Sequence, residues 1–306
     1  MDTKINKTNG LTENENDIEL CFKAFIIDRK SQNLAKGTIE FYTLKLNRFI
    51  KYCKSKSIYR MDKITPEIIR LFLLDLPNSE GGKAAFYRSV KAWLLFFENE
   101  FEPENYRNPI KKVKPPKKSV EPIEGISISD FNKLVECCDN KSFFGIRDKT
   151  ILLVLLETGI RASELCNLKI EDINFIDSSI LVKCGKGRKP RYTFFGRKVK
   201  KQLRLWLKTK NNNSNALFTT LQGDKFVYST LREVIRRLSK KAGIDTTGLH
   251  DFRRTFALQC LKNRVDIQTI ARLMGHSSLQ VLTFYLKQSK NDIGESYQSV
   301  VENSTY

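Results

Sequence analysis

The sequence predicts a mainly α-helical protein with a small β-sheet (α+β), divided into an all-helical N-terminal domain and a mixed C-terminal domain. Three observations support this prediction. The 306 residues suit two domains of ordinary size, and a hydrophobic content of 41% can give each of them a core. Apolar residues recur at helical spacing over most of the chain. Two short segments between residues 179 and 195 alone have the pattern of a β-hairpin.

The N-terminal domain is predicted to be a helical bundle over residues 17–105, after a polar and flexible N-terminus of 16 residues. Its second helix is expected to be capped by Thr38. A third helix start is predicted at Thr65-Pro66-Glu67, because a capping hydroxyl, a proline at the first position and an acidic first turn all favour one. The last, long amphipathic helix is expected to follow Gly81-Gly82.

A basic, proline-rich segment, residues 106–122, is predicted to be an extended linker, because its prolines disfavour helix and its lysines disfavour burial. The second domain, residues 123–306, is predicted to begin with helices over 129–138 and 150–157. Gly159 is expected to end the second of these helices.

The predicted hairpin comes next, with strands 179–183 and 191–195 joined by the turn Gly-Lys-Gly-Arg, residues 185–188. Helical patterns follow over residues 198–207, 230–242, 252–261 and 267–274. The tail from about residue 287 repeats apolar residues at helical spacing. Docking on its own domain and docking on a neighbouring subunit are both open for this tail.

The charge of the chain is strongly basic, since 54 Lys and Arg against 34 Asp and Glu give a formal net charge of +20. This balance favours a polyanionic partner, either nucleic acid or an anionic membrane surface, although solvated lysines alone would give the same total. No membrane partner is expected, because the apolar runs, such as residues 151–156, are far shorter than the ~18 residues of a spanning helix.

The seven cysteines do not predict a disulfide framework, because their number is odd and they are scattered along the chain. A metal site is not expected either: there is no C-x-x-C pair, and the two histidines, His250 and His276, lie in segments without cysteines at ligand spacing. The polar N-terminus lacks the apolar stretch of a signal peptide. These features predict a cytoplasmic protein without cofactors.

Two motifs in the first half of the second domain carry candidate reactive groups. In Thr-Gly-Ile-Arg-Ala-Ser-Glu-Leu, residues 158–165, Glu164 is expected to hold Arg161 by a charged hydrogen bond. The second motif is Gly-Lys-Gly at the hairpin turn, which presents Lys186. Taken alone, an arginine next to a glutamate is usually only a surface ion pair.

Two further motifs lie in the last sixty residues. His250 and Arg253 are three residues apart, so both can project from one side of a helix start, where free backbone N–H groups also favour a phosphate. Gly-His276 is followed nine residues later by Tyr285. Such a glycine and histidine are often only a helix cap, and a tyrosine in an apolar run is often only a core residue.

In this order and spacing the four motifs resemble the signature of the tyrosine recombinases, or phage integrase family, across residues ~123–290. The N-terminal region is similar to the SAM-like core-binding domain of that family. The resemblance implies a catalytic domain of the DNA breaking-rejoining type. It implies an Xer-like site-specific recombinase that cleaves and rejoins double-stranded DNA through a 3′-phosphotyrosyl intermediate, without metal or ATP. It also implies short inverted-repeat sites and a tetramer acting on two of them.

The resemblance assigns roles to single residues. Arg161 and Arg253 match the two phosphate-binding arginines, and His276 matches a third phosphate donor. Lys186 matches the general acid and His250 the second acid–base residue. Tyr285 matches the nucleophile. Glu164 would support Arg161. Basic residues of the linker, the hairpin turn and the third motif would contact DNA: Lys111, Lys112, Lys114, Lys117, Lys118, Arg188, Lys189 and Arg254.

The sequence departs from the family pattern at Arg254, where a histidine is common. The choice of Lys186 also has neighbours as alternatives, since Lys183 and Lys189 lie within a few residues. Two other functions stay open: a type IB topoisomerase-like enzyme, which uses a similar set of residues, and an integrase-derived DNA-binding protein without catalysis. The intact set of six residues favours an active recombinase, for integration and excision of a mobile element or for Xer-type resolution.

Overall fold

The computed structural model confirms the mainly helical fold with a small sheet. It describes residues 16–77, 79–117, 125–183, 190–210, 213–245 and 247–275. The chain divides into two compact units, residues 1–120 and 121–306. None of the helices in the described ranges has the length and apolar character needed to cross a membrane. The polar N-terminus, the hairpin turn and the tail from residue 287 lie outside the described residues.

The described part of the first unit contains four α-helices: α1 (Ile18–Ser31), α2 (Lys36–Ser55), α3 (Pro66–Asp75) and α4 (Glu80–Phe101). Their core is rich in aromatic rings. Phe49 of α2 packs edge-on against Phe72 of α3, with 4.9 Å between ring centroids, and against Trp93 of α4, with 6.4 Å. Edge-to-face contacts of this kind add to the free energy gained by burying the rings.

The helix starts of the first unit agree only in part with the predictions. The Thr65 side chain accepts a hydrogen bond from the Ile68 N–H at 3.3 Å, so the predicted cap of α3 is confirmed. Thr38 is not a cap, because α2 begins earlier, after Ala35, whose side chain cannot accept such a bond. Helix α4 also begins before the glycine pair, since the Ser79 hydroxyl accepts from the Gly82 N–H at 3.4 Å and caps it there.

The first part of the segment predicted to be an extended linker is not extended. Residues Pro109–Lys112 form a 3-10 helix that starts with proline, at a position where no N–H is needed. Ile110 and Val113 are buried in the core of the first unit, and the lysines between and after them are exposed. The Asn108 side-chain oxygen caps the turn and its Nδ2 donates to the Leu94 carbonyl at 3.0 Å. Two buried apolar residues and hydrogen bonds from Asn108, Tyr87 and Arg70 thus attach this lysine-rich segment to the bundle.

The second unit contains seven α-helices among its described residues: α5 (Ile128–Glu136), α6 (Phe143–Thr158), α7 (Ala162–Leu165), α8 (Arg197–Thr209), α9 (Tyr228–Ala242), α10 (Leu249–Lys262) and α11 (Ile267–Met274). An antiparallel sheet has the order β1 (Ile173–Asn174), β2 (Ser179–Val182) and β3 (Arg191–Phe194). The pairing of β2 with β3 confirms the hairpin. Strand β1 has only two residues, too few to give a period in the sequence.

Helix α6 is the centre of the second unit, and most of its residues are buried. It begins at Phe143, before the predicted start. The predicted start was too late because a charged pair interrupts the apolar pattern of the helix. Arg147 and Asp148 are both buried, and the Arg147 Nε donates to the Asp148 carboxylate at 2.9 Å. Arg237 of α9 donates to the same carboxylate at 2.6 Å. The helix ends at Gly159, as predicted, where a φ of +57° suits glycine.

Candidate active site

The end of α6 lies directly against α10. A Cβ added at Gly159 would lie 2.3 Å from Cδ1 of Phe256, so only glycine allows this approach. The Gly159 carbonyl accepts a hydrogen bond from Nη1 of Arg253 at 2.6 Å. Arg253 is 3% exposed, so protein atoms surround its side chain and hold it in this position. The Thr-Gly-Ile-Arg motif and the His-x-x-Arg motif therefore meet within one site.

Arg161 follows α6 and is held by the carboxylate of Glu164. Its backbone N–H donates to Oε2 of Glu164, and its Nη1 donates to Oε1, both at 2.9 Å. The predicted contact between these two residues is therefore observed. Nη2 of Arg161 donates to the carbonyl of Gly275 at 2.9 Å. With 22% of its side chain exposed, Arg161 can be reached by a ligand from solvent.

Three arginines converge on the C-terminal end of α11. Arg253 donates from Nη2 to the Met274 carbonyl at 2.6 Å, and Arg191 of β3 donates from Nε to the Leu273 carbonyl at 2.8 Å. Arg161 takes the next carbonyl, that of Gly275. The last carbonyls of a helix lack partners within the helix and carry its negative dipole end, so guanidinium groups stabilise this end. The cluster fixes the turn that leads into Gly-His276.

Glu164 is the anion in this cluster of cations. Burial would raise the pKa of its carboxyl, but hydrogen bonds from Arg191 and from the Arg161 backbone, and the charge of Arg191, outweigh burial and lower the pKa to about 2. The carboxylate therefore stays ionised throughout the neutral range, and its stabilising effect is lost only in strong acid. Both of its oxygens are free of protons and can accept from both arginines.

His250 lies in the first turn of α10 and is exposed. Partial desolvation lowers the pKa of its imidazole, and the charges of Arg253, Arg254 and Arg161 lower it further, while Asp251 opposes them. A lowered pKa keeps the ring neutral at pH 7, so it can accept a proton. Arg254 is turned to Asp251, with which it forms an ion pair of 3.0 Å.

The structure thus brings together four of the predicted catalytic and supporting residues, Arg161, Glu164, His250 and Arg253. Six other predicted residues lie outside the described residues: Lys118, Lys186, Arg188, Lys189, His276 and Tyr285. Four predicted DNA-binding lysines belong to the first unit and are exposed: Lys111, Lys112, Lys114 and Lys117. Lys111 forms an ion pair with Glu98.

Lys183, an alternative to Lys186 as the general acid, has a different environment. Its Nζ lies 2.6 Å from Asp172 and 3.2 Å from Glu171. The hydrogen bonds to Asp172 and Glu171 raise its pKa. An ammonium group held by two carboxylates gives up its proton less readily, so the structure disfavours Lys183 in this role.

Arg191 is the member of the arginine cluster that the sequence analysis missed. Its guanidinium contacts Glu164 at 2.7 Å, yet the sequence marked it only as a strand residue. No local pattern would have found it: alternation in Arg-Tyr-Thr-Phe predicts that Tyr192 and Phe194 are buried, whereas the structure buries Arg191 and Thr193. An arginine on the buried face of a strand needs an acidic partner.

Replacing Gly159 by alanine is expected to destabilise the second unit by about 2–4 kcal/mol, because strain at positive φ adds to a clash with Phe256. The matched control is Gly243→Ala at the end of α9, where φ is +63° and nothing lies within 4 Å, so strain alone should cost about 1 kcal/mol. Urea unfolding, followed by the Trp206 fluorescence in a Trp93→Phe background, measures both. Equal losses would contradict the close approach.

Within the described ranges, no group of three or more His, Cys, Asp or Glu side chains could hold a metal ion.

Comparison with known proteins places these observations in a family. The model of the phage integrase family matches residues 126–292. The tyrosine recombinase XerA of Pyrococcus horikoshii is 31% identical over 267 residues, which cover 86% of this chain and 87% of that protein. The tyrosine recombinase XerC of Oceanobacillus iheyensis is 29% identical over 295 residues, or 92% of this chain and 96% of that protein.

Solved structures are similar as well. The match with the crystal structure of XerA recombinase covers 94% of this chain and 99% of the XerA chain, with 26% identity and a TM-score of 0.53. XerH site-specific recombinase bound to palindromic difH substrate, in a post-cleavage complex, covers 92% of this chain and 84% of its own, with 21% identity and a TM-score of 0.73. The family model covers the segment that carries Arg161, Glu164, His250 and Arg253. The chain therefore belongs to the phage integrase family of tyrosine recombinases, which cleave and rejoin DNA through a tyrosine intermediate.

Proposed function

We propose that this chain is a site-specific DNA recombinase that uses Tyr285 as its nucleophile and forms a 3′-phosphotyrosyl bond. The observation that carries the proposal is the arginine cluster. Arg161 and Arg253 come from motifs 92 residues apart, and both donate to consecutive carbonyls at one helix end, next to the sequence that holds His276. Two guanidinium groups at one point provide the fork-shaped donors that a phosphodiester needs.

The chemistry asks for positive charge close to the non-bridging oxygens, which gain charge when a phosphodiester is attacked in line. We propose that Arg161 and Arg253 bind these oxygens and that His276 adds a third donor. The Arg161 guanidinium has five N–H groups, so its bonds to Glu164 and to the Gly275 carbonyl leave capacity for a phosphate. The carbonyl contacts would then hold the arginines in the orientation that binds phosphate.

The proposed proton transfers rest on the lowered pKa of His250 and on the place of Lys186 in the Gly-Lys-Gly motif. A phenol with a pKa near ~10 is a poor nucleophile at neutral pH. Neutral His250 can take the proton of Tyr285 as its oxygen attacks phosphorus, and Lys186 can protonate the 5′-oxygen as the P–O bond breaks. The phosphotyrosyl ester conserves the free energy of the bond, so the reverse attack by a 5′-hydroxyl rejoins the strand without ATP.

The domain roles are proposals too. We assign a core-binding domain to residues 17–105, a basic linker to 106–122 and the catalytic domain to 123–306. The exposed lysines after residue 110 and Arg254 are proposed to contact phosphates of duplex DNA, together with Lys118, Arg188 and Lys189. We propose a tetramer acting on two sites with inverted repeats, in the cytoplasm. The palindromic substrate of XerH is in keeping with such sites.

One experiment separates this function from a topoisomerase or an inactive DNA-binding protein. The full chain is incubated with fragments of random duplex DNA, and the fragments that stay attached in SDS are sequenced. A recombinase yields adducts whose breakpoints share a short inverted repeat. Adducts without a shared site would indicate a topoisomerase, and the absence of adducts would overturn the proposal.

Binding to the captured site is expected to be strongly salt-dependent, because bound lysines and arginines release counterions from phosphates. For ~6 contacts the affinity should fall about 10³-fold between 50 and 200 mM salt. Fluorescence anisotropy measures the slope of log affinity against log salt. Lys114→Gln should reduce this slope by about one. The control Lys36→Gln, at the exposed start of α2, should not change the slope. Equal slopes for the wild type and both variants would contradict a contact between Lys114 and a phosphate.

A further inference from the structure

We infer that Arg191 is a positioning residue for DNA cleavage: it holds Glu164, and through it Arg161, and it fixes the end of α11 that leads to His276. This inference rests on the proposed function. It adds a residue outside the six catalytic positions, in a strand that otherwise only carries the hairpin.

The first argument is the shared carboxylate. Arg191 donates from Nη1 to Oε1 of Glu164 at 2.9 Å and from Nη2 to Oε2 at 2.7 Å, a fork that uses both oxygens. The same two oxygens accept from the side chain and the backbone N–H of Arg161, each at 2.9 Å. Without the fork, the carboxylate could turn about its own side chain, and the Arg161 guanidinium would turn with it.

The second argument is the contact with the end of α11. Nε of Arg191 donates to the Leu273 carbonyl at 2.8 Å. A Cβ added at Gly275 would lie 2.9 Å from Cδ of Arg191, so the arginine packs directly on this glycine. The Gly275 carbonyl in turn accepts from Arg161 at 2.9 Å. These contacts close a ring through Arg191, Glu164, Arg161 and the last turn of α11.

The third argument is burial. The Arg191 side chain is 8% exposed and that of Glu164 10%. Two buried charges lose much of their hydration, and apolar residues of similar volume often stabilise a fold equally well. A purely structural role therefore does not call for an arginine here. An orienting role does, because only a planar fork holds both carboxylate oxygens and still has an Nε–H for a third acceptor.

The ring also explains why Arg191 is not a phosphate-binding residue itself. Both Nη groups of Arg191 donate to the Glu164 carboxylate, which neutralises its charge, whereas those of Arg253 donate to the neutral carbonyls of Gly159 and Met274. Arg191 therefore affects the reaction by orienting Arg161 and the end of α11. Loss of Arg191 should therefore slow the chemical step and leave the binding of DNA unchanged.

The test measures covalent adduct formation in a single turnover with saturating DNA of the captured site. Arg191→Gln is expected to reduce the rate about 10²-fold, the scale of an ångström-sized misplacement. Arg191→Lys keeps the charge but loses the fork, and should fall between Gln and wild type. The dissociation constant for uncleaved duplex should stay within about twofold. The control Arg236→Gln, at an exposed ion pair on α9, should keep the wild-type rate.

A methylphosphonate at the scissile position gives the readout that separates positioning from general damage. Its methyl group replaces one charged non-bridging oxygen, so the reaction depends less on a correctly placed cation. The deficits of Arg191→Gln and Arg161→Ala should both shrink on this substrate. Combination with Glu164→Gln should cost less than the sum of the two single changes, since both act on one network.

Each possible outcome of these measurements either supports or overturns the role of Arg191. A wild-type rate for Arg191→Gln, or equal deficits on both substrates, would overturn the inference. If the glutamine variant does not fold, as judged from Trp206 fluorescence, the same comparison for Arg191→Lys decides. If the wild-type chain forms no adduct at all, the proposed function fails first and the inference falls with it.

Discussion

Tyr285→Phe is expected to abolish the SDS-resistant adduct with DNA, with a loss beyond detection. The substitution removes one oxygen, which is the atom that would attack phosphorus, and keeps the ring and its packing. Folding and duplex binding should therefore persist, because no phosphate-binding cation is changed. The measurement compares adduct formation on a nicked duplex, from which the cleaved end diffuses away, with anisotropy on an intact one.

The matched control is Tyr228→Phe, an exposed tyrosine at the start of α9, which should form adducts at the wild-type rate. An adduct that persists with Tyr285→Phe would mean that another of the 10 tyrosines is the nucleophile. Loss of both binding and adduct would indicate a folding defect and leave the arginine cluster as the part of the site to test directly.

Local patterns were sufficient to predict most elements of the second unit. Gly159, Gly243 and Gly275 each end a helix with a positive φ, and the end at Gly159 was predicted from its place after an apolar repeat. The start of α6 was missed because Arg147 and Asp148 break the repeat, and their burial depends on contacts with Thr219 and Arg237, which lie far along the chain. The 3-10 helix after Asn108 was missed for a related reason, since its burial depends on α4.

The same distinction applies to the site. Arg161 and Glu164 are three residues apart, so their contact followed from local geometry. Arg191 is 27 residues from Glu164 and 82 from Leu273, so its two contacts exist only after the strand, α7 and α11 have packed together. Single residues could be assigned to the reaction from motifs, whereas the residue that orients them required the fold.

The second large effect is expected for Lys186→Ala, which should slow cleavage of an ordinary phosphodiester about 10²–10⁴-fold, the usual contribution of a general acid. The leaving 5′-oxygen then departs without a proton. A substrate with sulfur in place of that bridging oxygen should restore the rate, since a thiolate leaves unprotonated. Single-turnover adduct formation on the two substrates measures the rescue.

The controls are the neighbouring lysines. Lys183→Ala should cleave both substrates at the wild-type rate, because Lys183 is bound to Asp172 and Glu171 and its raised pKa makes it a poor acid. A lysine that only binds phosphate would slow both substrates equally when removed. If Lys186→Ala behaved in that way and Lys189→Ala were rescued by sulfur instead, the general acid would be Lys189. The arginine cluster would keep its role, because its contacts do not depend on which lysine gives the proton.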